Sequence, residues 1–185
     1  MKTLEALPQT SEEWWSEVKA DDNQLYVWLQ KQYHGEVVAA VRIRDFAVSY
    51  ATPGSRQERL LAIIAGQEED HARWVGDLLV TRGIEPVVLD KEERYWEQTL
   101  PQIGGLATGA AVAAHAEHMR LERIRVIAAD PTASLDIRNV FDRILPQEVF
   151  HERAFRSLAG PEAMDLTNAA HQAGRRAIGL FPEEM

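Results

Sequence analysis

The sequence predicts an all-α protein built on a four-helix bundle, and three observations carry that expectation. Apolar residues recur at three- and four-residue spacing through four long segments, with little sign of strand alternation. Turn and cap signals group those segments into two close pairs joined by one long connection. The motif Gln-Glu-x-x-His occurs in the second and fourth segments, as Gln67-Glu68 with His71 and Gln147-Glu148 with His151.

The elements follow in chain order. An amphipathic turn from Ser11 to Lys19, carrying Trp14 and Trp15, is expected to pack on the outside. The first long helix runs from about Asp22 to Tyr50, where Leu25, Leu29, Tyr33, Ala40, Ile43 and Ala47 share a stripe containing one acid, Glu36. Thr52-Pro53-Gly54 breaks it, and Ser55 with Glu58 has the spacing of a capping box for a second helix reaching about Arg82, before Gly83. Two long helices joined by so tight a turn are antiparallel neighbours. Residues 83–105 hold Pro86, Pro101, Gly104 and Gly105 and predict a crossover with one short helical stretch from about Lys91 to Leu100. The third long helix spans about Leu106 to Ala129, Asp130-Pro131 ends it, and Ser134 is the expected cap of a fourth reaching Ala159 before Gly160-Pro161. A short terminal helix is expected from Leu166 to Ile178, and Pro146 is expected to kink the fourth helix.

With 185 residues, 45% of them hydrophobic, and no linker or low-complexity tract, the chain is read as a single domain over residues 1–185, its bundle occupying about 22–159. The 29 acidic and 20 basic residues give a net charge of −9, and the basic residues are scattered, which excludes an electrostatic footprint for nucleic acid. No apolar run has membrane-spanning length, and the first eleven residues lack the pattern of a secretory signal, so a cytoplasmic location away from membranes is expected. Cysteine is absent, which rules out thiolate catalysis, disulfides and cysteine-ligated iron within the chain.

Chemistry enters through the seams. In the second helix, positions 61, 64, 68, 71, 75 and 78 carry Leu, Ile, Glu, His, Val and Leu; in the fourth, positions 137, 141, 144, 148, 151, 155 and 158 carry Ile, Phe, Ile, Glu, His, Phe and Leu. A Glu and a His three residues apart lie one above the other on one face, so each seam buries one such pair. Glu36 on the first helix and Glu117 on the third, the latter sharing its face with Ala110, Ala114, Leu121 and Ile124, complete a set of six. Four carboxylates in a core need positive charge between them, which points to two metal ions.

The halves of the chain repeat. His34-Gly35-Glu36 with Arg42 and Arg44 matches His115-Ala116-Glu117 with Arg123 and Arg125, at an offset of 81; Gln67-Glu68 with His71 and Arg73 matches Gln147-Glu148 with His151 and Arg153, at an offset of 80. Metal ligation does not require the flanking Gln and Arg matches, so a duplicated helical hairpin is the better explanation.

Taken together, Glu36, Glu68-x-x-His71, Glu117 and Glu148-x-x-His151 on four helices resemble the ferritin-like di-iron carboxylate superfamily, especially bacterioferritin and the rubrerythrin group, over residues 22–159. The resemblance implies that Glu68 and Glu148 bridge two metal ions, that Glu36 and His71 complete one, and that Glu117 and His151 complete the other. Oxygen and imidazole donors without sulfur suit two Fe ions, with Mn or a mixed Fe/Mn pair as alternatives and zinc as an occupant during purification. Dioxygen or hydrogen peroxide are then the expected partners, with an external electron donor. An oxidoreductase is the leading function; iron storage by ferroxidase chemistry and a structural metal-binding helical module are the alternatives. A small homo-oligomer such as a homodimer fits the 21-residue N-terminal extension and Trp-containing crossover better than a storage cage. The rubrerythrin-like acid three residues after the third-helix ligand is replaced by Arg120, which argues against a carboxylate switch there.

Four other residues are weighed as neighbours of the site. His34 and His115 precede the ligand glutamates by two residues, ~200° around the helix, and are expected between helices or at the surface. Tyr33 and His118 are the candidates for contact with the ligands or a substrate, set against ordinary packing.

Overall fold

A computed structural model describes residues 9–181. Among them are six α-helices and no strand: α1 (Ser11–Ala20), α2 (Asp22–Tyr50), α3 (Arg56–Val80), α4 (Arg94–Thr99), α5 (Leu106–Ala129) and α6 (Leu135–Ala177), with a 3₁₀ turn at Leu100–Gln102. None is long and apolar enough to cross a membrane.

Local chemistry sets the boundaries. Thr10 and Glu13 form a reciprocal capping box at the start of α1, and Asp21 accepts the backbone N–H groups of Asn23 and Gln24 to open α2. Ser55 accepts from the Glu58 backbone at 3.1 Å, while the Glu58 carboxylate takes the N–H of Gly54, one residue before the reciprocal partner of a capping box. Gly83 adopts φ 72°, a left-handed conformation suited to glycine, and Ile84 N–H donates back to Leu79 O at 3.0 Å. Ser134 contributes no side-chain cap to α6. Helical backbone continues through Pro146, and the break in α6 falls at Gly160, with φ 72° and ψ 165°. The final segment is therefore helical from Pro161, five residues earlier than periodicity alone indicates, because proline fits the first turn of a helix.

Two hydrophobic clusters fill the interior. One joins Leu25 and Leu29 of α2 to Val75 and Leu78 of α3, Ile124 and Ile127 of α5, and Ile137 and Phe141 of α6. The other joins Ile43 and Ala47 to Leu61 and Ile64, Ala110 and Ala114, and Phe155. The start of α2 thus lies with the end of α3, the end of α5 and the start of α6. Helices α2 and α6 run one way and α3 and α5 the other, an arrangement compatible with a four-helix bundle. Residues 83–105 must travel its length, and α4 packs on α6 along the way. Full burial of a Leu, Ile or Phe is worth roughly 1.5–3 kcal/mol, so the two clusters supply the stability against which a polar layer between them is set. Helix α1 docks on the first cluster through Trp14, Trp15 and Trp28, and Trp15 Nε1 and Lys19 Nζ both donate to Asp130, at 2.8 and 2.6 Å.

Candidate metal centre

The layer between the clusters consists of the six residues expected from the sequence. Glu36, Glu68, His71, Glu148 and His151 are fully buried and Glu117 is 5% exposed. Ligand atoms of Glu36, Glu68, His71 and Glu148 lie within 4.8 Å of one another, as do those of Glu68, Glu117, Glu148 and His151. Glu68 and Glu148 belong to both groups, so two overlapping clusters share two carboxylates.

Imidazole orientation comes from the glutamine beside each motif. His71 Nε2 lies 2.8 Å from Gln147 Oε1, and His151 Nε2 lies 2.8 Å from Gln67 Oε1. An amide oxygen only accepts, so each Nε2 carries a proton and each Nδ1 is turned inward. Nδ1 of His71 is 3.4 Å from Glu148 and 3.8 Å from both Glu36 and Glu68; Nδ1 of His151 is 3.0 Å from Glu68 and 3.5 Å from Glu148. The duplicated Gln-Glu pair is thereby explained: each glutamine orients the histidine of the other hairpin.

The carboxylates are not equivalent. Arg120 and His151 stand at ion-pair distance from Glu148 and Glu68, but neither oxygen of Glu68 or of Glu148 has a well-aligned hydrogen bond, and neither do Glu36 Oε2, Glu117 Oε2 or the two Nδ1 atoms. Glu36 Oε1 is held by Gln32 Nε2 and by Arg120 Nη2, each at 2.5 Å. Buried polar atoms left unpaired in this number are costly, and a cation is the partner their geometry suits. Two oxygens on each shared residue and one on each of the others form a donor set compatible with metal binding.

Arg120 is the residue sequence reasoning did not place here. Its guanidinium lies 3.0 Å from Glu148, 3.6 Å from Glu68 and 3.7 Å from Glu117, besides its bond to Glu36. The signal was present, since one helical turn separates Arg120 from Glu117 on the same face. Burial lowers the guanidinium's proton affinity, but the surrounding carboxylates outweigh it and hold Arg120 well above its ordinary value. Burial raises Glu36, and raises Glu117 further, despite Arg120. For Glu68 and Glu148 burial pushes upward as well, yet Arg120 and the two imidazoles hold both below the usual carboxylate range. Burial opposes a charged His71, but Glu148, Glu36 and Glu68 overcome it and push the ring up to about 12.

The other weighed residues lie elsewhere. His34 is buried against the crossover, where Nδ1 accepts the Leu89 N–H and Nε2 meets Glu93 at 3.2 Å. His115 stacks on His171 with ring centres 4.5 Å apart. Tyr33 packs with the first cluster and against Gly76 of α3. His118 is 39% exposed and 3.9 Å from Glu152.

No protein-family model, curated protein or solved structure matches the chain.

Proposed function

We propose that this chain is a non-haem two-metal carboxylate protein of ferritin-like arrangement, acting as an oxidoreductase on dioxygen or hydrogen peroxide. The observation that carries the reading is the set of buried donor atoms without a well-aligned hydrogen bond: two from each of Glu68 and Glu148, one from each of Glu36 and Glu117, and one from each histidine. Glu36 and His71 would hold one ion, Glu117 and His151 the other, and Glu68 and Glu148 both. Two antiparallel hairpins joined by a long connection support the ferritin-like assignment.

The donors fit iron first, and manganese or a mixed pair equally in kind. When bound, such a pair supplies two-electron redox chemistry toward dioxygen or peroxide. The chain's own contribution is to fix the donors: Gln67 and Gln147 aim the imidazoles, and the apolar clusters on either side exclude water. Without cysteine the chain holds no thiolate electron-transfer group, so reducing equivalents come from an external donor. The cytoplasm and a small homo-oligomer complete the proposal.

A second reading is favoured by Arg120. A guanidinium in contact with Glu36 and Glu148 offsets part of the carboxylate charge, as a purely structural cluster would need. Metal analysis of protein expressed in iron-replete medium separates the two. The proposal expects about two transition-metal ions per chain, most of them lost in Glu68→Ala and in His151→Ala. A metal-free wild-type protein, or unchanged content in both variants, would overturn it. Ferrous-loaded protein should consume peroxide or dioxygen; if inert to both, its metal is structural.

A further inference from the structure

Among the positions at which the two hairpins differ, one pair lies beside the polar layer. One turn after Glu117 stands Arg120, and one turn after Glu36 stands Ala39. Arg120 reaches across to Glu36, whereas beside Ala39 a cavity of about 260 Å³ opens next to Glu117 and Arg120. Its walls are mostly apolar, formed by Ile43, Phe46, Val112, Ala113 and Phe155, with Asp45 and Ser49 among the few polar residues and the exposed Tyr50 and Leu100 also lining it. The volume is near the lower end of the ~300–1,000 Å³ usual for ligand pockets, which limits the occupant to a compact molecule.

Charge selects the occupant further. If two divalent ions take up four carboxylates and the imidazoles are neutral, the centre balances without Arg120. The guanidinium, bonded to Glu36 Oε1 and lining the pocket, then carries the site's excess positive charge, which an anion entering the pocket would offset. The other arginine lining the cavity, Arg42, is already engaged by Glu93 and lies over the Trp96 ring, 4.7 Å from its centre.

We infer that the cavity binds a compact apolar monocarboxylate, its carboxylate on Arg120 beside the metal centre and its hydrocarbon body between α2 and α5. This rests on the two-metal reading. Arg120 suits the head group because a planar guanidinium fork can donate to both carboxylate oxygens at once.

Octanoate, with octan-1-ol as a control of equal chain length, provides the test, by calorimetric titration of the metal-loaded full chain. Octanoate should bind saturably at one site per chain and at least tenfold more tightly than octanol. Arg120→Gln should lose at least tenfold for octanoate with little change for octanol. Ala113→Trp, which fills the pocket away from the metal donors, should lose both while retaining the wild-type metal content. Equal affinity for acid and alcohol, or no saturable binding to protein carrying its metals, overturns the inference and leaves the two-metal reading intact. Protein that takes up no metal removes the charge argument and overturns both.

Discussion

Gln67 and Gln147 are the residues through which the two hairpins act on one another. Each accepts a hydrogen bond at 2.8 Å from the histidine of the opposite pair, which fixes both ring orientation and the proton on Nε2. Gln67→Ala and Gln147→Ala should each lower metal affinity by ~10–100-fold, the usual effect of removing a group that orients a ligand. Competition with a calibrated chelator measures this, and unchanged affinity in both variants would show that packing alone positions the rings. The repeat of these glutamines was visible in the sequence, but their task was not, because hydrogen bonding between residues about eighty positions apart depends on how the helices meet. Arg120 was hidden for a related reason: a long flexible side chain one turn from a buried acid can point outward or inward, and spacing does not choose. The six residues of the polar layer were legible because a Glu or His in an otherwise apolar seam has no other way to face.

Helix α1 shows how an element is held by one polar junction on an apolar seat. Asp130, at the end of α5, receives Lys19 Nζ, Trp15 Nε1 and Thr132, and Lys19 above all holds its carboxyl below the ordinary range. A carboxyl depressed in the folded state stabilises the fold above its unfolded value of ~3.9, and that contribution is lost as pH falls through the folded value. The stability difference between wild type and Asp130→Asn should therefore be constant from neutral pH to about 5, and shrink below about 4 as Asp130 protonates. Urea midpoints across this range, followed through tryptophan emission, test it; a difference that persists at the lowest pH assigns the effect to packing. The boundaries of α2, α3 and α5 were readable from their caps and from the breaks at Thr52-Pro53-Gly54 and Asp130-Pro131. The break at Gly160-Pro161 was readable as well, and it falls at Gly160, where the left-handed φ is, while the backbone at Pro146 stays helical.

At the scale of the whole molecule, a polar layer divides the interior, and the same layer joins all four long helices. The two apolar clusters were implied by the seams, but their separation by a single plane of Glu and His depends on the directions of α2, α3, α5 and α6. The mixture of four acids and two imidazoles makes the layer unfavourable on its own terms, because each buried carboxylate needs a partner. A bound metal pair would convert it into a cross-link among α2, α3, α5 and α6, and its binding energy would add to folding stability. Ions that bind the folded chain alone stabilise it by about 2.7 kcal/mol at a free concentration one hundred times Kd. Chelation should accordingly lower the thermal midpoint, and readdition of ferrous or manganous ion should restore it with a dependence on ion concentration. Glu68 and Glu148 occupy equivalent places in the two shared clusters, so Glu68→Ala and Glu148→Ala should abolish this metal dependence alike, which differential scanning calorimetry with and without added ion will show. A midpoint that ignores both chelator and metal, or a dependence that survives in both variants, would mean that the layer is held by Arg120 and the imidazoles and that no ion joins the four helices.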